Sequence, residues 1–223
     1  MANARTSRPT RGRSHAAALS IGLCLVFGLA GLTRAHEVKD VSADAVAAPG
    51  ALPEIALGNP SAKITIVEYV SLTCARCAEF HVGVLPHLKK KYIDTGLVRL
   101  VIREFPLDRL AAAAAILTRC ADGPDRSYAM IGEFLSRQAE WVVRTGDAVP
   151  KLFAFASRLG FDEAKFAACL DDQALLDKIV ATRDRAAKEF GVQSTPTFFV
   201  NGKGLEGGRM IEDFDRLIEP MPR

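Results

Sequence analysis

Two cysteines two residues apart, in the run Cys74-Ala75-Arg76-Cys77, are the residues of this 223-residue chain best suited to chemistry. Before them, Ile64 to Val70 is a β-branched run that reads as a buried strand. After them, Phe80, Val84, Leu85 and Leu88 fall on one face of a helical pattern, with Lys89, Lys90 and Lys91 crowding its end. Cys74 is thereby placed at a helix N-terminus, where backbone N–H groups are unpaired and the macrodipole is positive, so its thiolate is stabilised. Arg76 adds a permanent positive charge close by in sequence. A thiol of low pKa is a good leaving group, and a disulfide that contains it is an oxidant. Other uses of the pair are a zinc fragment with His81, which lacks an obvious fourth ligand, and a static structural disulfide. Haem attachment needs a histidine directly after the second cysteine, and Ala78 stands there.

The elements that must hold the pair are legible in outline. Leu97 to Phe105 reads as a second strand closed by Pro106, and Pro86 is expected to kink the helix between the two strands. From Leu107 to about Phe190 the chain is helical in character, with breaks at Gly123-Pro124, Gly146 to Pro150 and Gly160. Thr197 to Val200 is a strand after Pro196, Asn201-Gly202 is a hairpin turn, and Met210 to Ile218 is a final amphipathic helix. This order describes a small α/β sheet interrupted by a helical insertion. Residues 36–60, rich in Ala, Pro and Gly, read as a linker or arm.

Composition narrows the function classes. At 49% hydrophobic and 25% charged the chain is an ordinary globular protein, neither disordered nor a multi-span membrane protein. Four arginines precede an apolar run from Ala16 to Leu32, which closes on the small-x-small pattern Thr33-Arg34-Ala35. Residues 1–35 therefore read as an export signal, with an uncleaved membrane anchor as the alternative. Cys24 lies inside that run as a hydrophobe. Without residues 1–35 there remain 24 basic and 26 acidic side chains, so no basic footprint for nucleic acid exists. Four cysteines also remain, Cys74, Cys77, Cys120 and Cys169, an even count that fits disulfide chemistry in an oxidising compartment. Cys120 and Cys169, 49 residues apart in the helical stretch, are either a second, structural disulfide or two buried free thiols.

The run Ile64-Thr65-Ile66-Val67-Glu68-Tyr69, the Cys-x-x-Cys, and Thr195-Pro196-Thr197-Phe198-Phe199-Val200-Asn201-Gly202 together resemble the DsbA-like branch of the thioredoxin superfamily, over about residues 61–219. The resemblance implies a thioredoxin fold from 61–105 and 171–219, with an all-helical domain inserted at 106–170. It implies that Cys74 is the exposed attacking cysteine and Cys77 the buried resolving one. Pro196 matches the cis-proline that faces the disulfide and pairs with substrate backbone. Thr195 matches the residue before it, which helps to set redox character. Glu68 matches a buried acid beneath the pair, a proton relay for Cys77, and is expected here to be buried without a charge partner. The family commonly has Pro-His between its cysteines. Ala75-Arg76 stand there in this chain, so a titrating charge is replaced by a permanent one.

By resemblance the chain is a periplasmic thiol:disulfide oxidoreductase, monomeric and without a cofactor or metal. It would hand the Cys74–Cys77 disulfide to reduced secreted proteins and be recharged by a membrane-bound, quinone-linked reoxidase. A reductase or isomerase of the same fold, and a non-redox chaperone-like or metal-carrying module, are the alternatives. His81 and His87 are assigned to helix faces and Trp141 to the core. Arg103 and Glu104 are assigned to charge pairing at a strand end.

Overall fold

The β-branched runs of the sequence become the centre of one sheet. The computed structural model describes residues 38–143, 145–208 and 210–221, so the expected export signal and Cys24 lie outside the described residues. The strands are β1 (Ile55–Leu57), β2 (Ile64–Val70), β3 (Val98–Glu104), β4 (Thr197–Val200) and β5 (Lys203–Glu206), in the order β1-β3-β2-β4-β5. β2 and β3 run parallel, while β1, β4 and β5 join antiparallel to their neighbours. β2 is the central strand, and its residues from Ile66 to Val70 are all buried, which explains its lack of polar alternation.

α1 (Ala43–Ala47) precedes β1. After β2 comes α2 (Ala75–Glu79), which passes through a π-helical turn at Phe80–Val84 into α3 (Leu85–Leu88) and a second π turn at Lys89–Ile93. Pro86 lies in the first turn of α3. The helix continues past Pro86 with π-helical turns on either side of it, where a ring without an N–H leaves the preceding turn one donor short. The helical block comprises α4 (Arg109–Arg119), α5 (Pro124–Ser136), α6 (Gln138–Trp141), α7 (Val149–Arg158) and α8 (Glu163–Leu170). The long α9 (Gln173–Phe190) follows and returns the chain to β4, and α10 (Ile211–Ile218) closes the sequence of elements. Asp108, Asp162 and Asp172 cap α4, α8 and α9 through their side chains. One apolar core runs from Ile66 and Leu100 of the sheet to Phe134, Trp141 and Phe155 of the helical block. Trp141 is fully buried and donates its indole N–H to the Phe134 carbonyl at 2.8 Å. Cys120, at the C-terminus of α4, is disulfide-bonded to Cys169 in the last turn of α8.

One expectation needs correction. The segment 36–60 is more than a linker, because its described part carries α1 and β1. Arg103, itself buried, donates to the carbonyls of Val46, Ala47 and Ala48 at 2.7, 3.2 and 2.8 Å, the unpaired C-terminal carbonyls of α1. Val46 packs with Tyr69 and Phe199 beneath it. Further along the arm, Asp40 accepts from the Gly204 N–H at 3.0 Å, and a Cβ at Gly204 would stand 2.6 Å from the Val38 carbonyl. Close packing of the arm on the hairpin therefore demands glycine there. The charge pairing expected of Arg103 and Glu104 is present, since Arg103 faces Glu54 at 3.8 Å and Glu104 faces Arg119. Arg103 and Glu104 alternate across the strand, so one side chain reaches α1 while the other pairs with Arg119 of α4, at 2.8 Å for one of its contacts.

Candidate active site

Cys74 is the N-cap residue of α2, with extended backbone, and its carbonyl accepts from the Ala78 N–H at 3.2 Å. The half-buried thiol donates from Sγ to the Thr195 carbonyl at 3.2 Å. Its pKa is held down from an ordinary 9.0 to about 5. The largest cause is a hydrogen bond from Cys77. Burial opposes this, and the Thr195 side chain and the backbone N–H groups of Cys77 and Arg76 add to it. Among the described residues the buried Thr195 hydroxyl has no other hydrogen-bond partner, so it can turn its proton toward the sulfur once the thiol ionises. Cys77 is fully buried and titrates in the opposite sense. Burial pushes its thiol well above the ordinary range, and the negative charges of Cys74 and Glu68 push it further. Both are free thiols in this structure.

From the far side of the pair, β4 brings in the loop that contains Thr195 and Pro196, joined by a cis peptide bond. The loop is fixed by its own hydrogen bonds. Thr197 Oγ1 donates to the Ser194 carbonyl at 2.8 Å, and the Gly207 N–H donates to the Pro196 carbonyl at 3.0 Å. Beneath the pair, Glu68 of β2 is fully buried. It is not unpaired as expected: His81 Nε2 lies 3.0 and 3.1 Å from its two carboxylate oxygens. His81 follows Cys77 by one helical turn, and the π turn that contains it points its ring inward instead of along an outer face. The zinc spacing of Cys74, Cys77 and His81 is thus used differently, with the imidazole committed to Glu68. Among the described residues no group of three His, Cys, Asp or Glu is placed to hold a metal ion.

A family model described as thioredoxin matches residues 51–220. The chain belongs to that family. Within it the likeness is to DsbA proteins. α-DsbA1 of Wolbachia pipientis superposes with a TM-score of 0.68 at 29% identity, over 81% of this chain and 95% of that one. The oxidised BdbD of Bacillus subtilis shares the fold, with a TM-score of 0.67 at 19% identity, over 82% and 97% of the two chains. A protein of Rickettsia typhi named as a protein-disulfide oxidoreductase is 31% identical over 167 residues, or 74% of this chain. The match spans about three fifths of that relative, 61% of its length.

This DsbA-like thioredoxin uses its helical block to hold the cysteine loop. Gln138 of α6 donates through Nε2 to the carbonyls of Leu72 and Cys74, at 2.7 and 2.9 Å. Thr73 Oγ1 donates to Asp108 Oδ2 at 2.6 Å, while the other carboxylate oxygen of Asp108 caps α4. Neither Gln138 nor Asp108 stood out in the sequence, because a lone polar residue tens of positions away carries no local signal for the loop it braces. Arg76 differs from its expected role. Its side chain is exposed, and what lowers the Cys74 pKa is its backbone N–H at the helix start, a group that any residue except proline supplies. His87 is exposed on its helix.

Proposed function

We propose that this chain is an exported thiol:disulfide oxidase that donates the Cys74–Cys77 disulfide to reduced client proteins. The observation that carries the reading is the contrast between the two sulfurs: Cys74 sits half-buried at the N-cap of α2 against the Thr195 carbonyl, which goes with a pKa held down to about 5, while Cys77 is fully buried and pushed above the ordinary thiol range. The low value makes Cys74 a stable thiolate and a good leaving group, which favours the reduced state and so makes the disulfide an oxidant.

The steps follow from the two environments. A client thiolate attacks Cys74 Sγ, the more exposed sulfur, and the Cys74–Cys77 bond breaks with its electron pair going to Cys77. Cys77 takes up a proton, since burial disfavours its thiolate, and Glu68 relays that proton. A second client thiolate attacks the client sulfur of the mixed disulfide and expels Cys74 as the thiolate. The client leaves oxidised by two electrons and the pair leaves reduced. Thr195 and the N–H groups at the α2 N-terminus stabilise the expelled charge, Pro196 shapes the loop that receives client backbone, and Arg76 lies exposed beside the pair, where a client would meet it. A membrane-bound, quinone-linked reoxidase accepts the electrons and restores the disulfide. Export fits the positively charged, apolar N-terminal sequence. Among the described residues, no helix is long and apolar enough to cross a membrane.

The test is an equilibrium of the pair with glutathione, alongside oxidation of a reduced, unfolded client. A pair that is reduced more readily than glutathione, with stoichiometric client oxidation, is the expected result. A pair more reducing than glutathione turns the reading to a reductase. A pair that exchanges with neither removes the redox function.

A further inference from the structure

Below the cysteines lies a buried imidazole–carboxylate contact that the reaction above does not yet use to the full. Glu68 is completely buried, and the His81 side chain is 4% exposed, so the imidazole is the nearer of the two to solvent. Nε2 contacts both carboxylate oxygens, at 3.0 and 3.1 Å, so a proton on Glu68 lies within hydrogen-bond reach of the imidazole. The groups that face Glu68 are few. Its register partners on β3 and β4 are Ile102 and Phe198, which cannot carry charge. α2 presents Cys77 and α5 presents Tyr128, and both thiol and phenol are pushed up in part by the Glu68 charge. The face of the His81 ring is met by Phe80, edge-on at 5.4 Å. His81 is thus the basic side chain in contact with the carboxylate, and the carboxylate is the charge that Cys77 feels.

We propose that His81 is a positioning residue that works through Glu68, so that the two form a single proton store for Cys77. The inference deepens the proposed function and rests on it. When the disulfide opens, Cys77 departs with the electron pair and needs one proton. The imidazolium–carboxylate pair supplies it through Glu68, and His81 is left neutral beside the carboxylate. When the pair is reoxidised, Cys77 must attack the Cys74 mixed disulfide as a thiolate. Its proton then returns through Glu68 to the imidazole. One proton moves in each direction and no other reactant is consumed. A buried carboxylate without a cation is a poor proton carrier near neutrality, because losing its proton creates an unsolvated charge. The imidazole allows the store to empty and refill while Glu68 remains ionised.

The experiment compares the full chain with its His81→Gln variant. A mixed disulfide between Cys74 and glutathione is formed, and glutathione released by Cys77 is followed against pH. The variant is expected to release it about a hundredfold more slowly at neutral pH, with the rise of rate shifted to higher pH, the lower end of the effect of a lost proton-transfer partner. Attack of glutathione on the oxidised pair, which is driven by Cys74, is expected to change by less than about threefold. In the unmodified protein, the imidazole resonances of His81 should report a change of protonation between the oxidised and reduced states at one pH. This measurement stands even where the variant folds poorly. A His81→Gln protein with an unshifted pH profile overturns the inference, as does an imidazole whose charge ignores the redox state. If the unmodified protein forms no mixed disulfide at all, it is the functional reading that fails.

Discussion

Two cysteine pairs in one chain meet opposite fates. Cys74 and Cys77 flank the N-terminus of α2, where free N–H groups and the positive end of the dipole welcome a thiolate. Cys120 ends α4 and Cys169 lies in the last turn of α8, so both sulfurs of the second pair stand at helix C-termini, where a negative charge is disfavoured. A bond between poor leaving groups resists exchange, whereas one that contains a good leaving group invites it. Loop length differs as well. The second pair closes 49 residues and constrains the unfolded chain strongly, while a two-residue closure constrains it little. The thiol is the same in both pairs, and its surroundings make one reactive and the other structural.

The comparison breaks most visibly at Cys74. Cys74→Ser should abolish client oxidation, and Cys77→Ala should trap clients on Cys74, both read by mixed disulfides on a non-reducing gel. Replacing Cys120 and Cys169 together by Ser should leave thiol transfer in place and cost roughly 2–4 kcal/mol of stability, measured by denaturant unfolding. Mild reductant should open the first pair well before the second, as peptide mapping would show, and the reverse order would collapse the distinction.

The pH dependence sharpens the contrast. Cys74 has a pKa of about 5 in the folded, reduced state, depressed from 9.0. Its ionisation therefore stabilises the reduced fold fully only above about 9, decreasingly as pH falls, and no longer once pH drops below about 5. Cys77 is raised, so it opposes folding only at pH values above those at which an unfolded thiol ionises. The stability gap between reduced and oxidised protein should thus shrink from pH 9 to pH 5, and a flat gap would contradict the assignment. Thr195→Val should raise the titration midpoint of the thiolate by roughly one unit, about 1.4 kcal/mol for one lost hydrogen bond to a charge. Arg76→Ala should change least, by under about half a unit, because an exposed charge is screened and the backbone N–H survives.

Much of this fold is legible in the sequence because its signals are local. The β-branched run at Ile64 to Val70, the Cys-x-x-Cys that follows it and the Asn201-Gly202 turn each report on their own few residues. The arm was harder to read, since Ala-rich composition gives no sign that Arg103, more than fifty positions on, will cap α1. The C-terminal carbonyls of α1 are satisfied by a buried guanidinium arriving from β3.

The sequence by itself determined that two thiols stand at a helix start after a buried strand, because spacing and periodicity act within a few residues. Only the tertiary structure decided what surrounds them. The π turn after α2 brings the His81 ring to Glu68, the loop before β4 delivers Thr195 to the sulfur, and α6 brings Gln138 to the loop. Each contact joins distant positions through burial, where an ion or hydrogen bond is felt strongly because water is excluded. No periodicity along the chain encodes such a contact, since it exists only once the layers have packed.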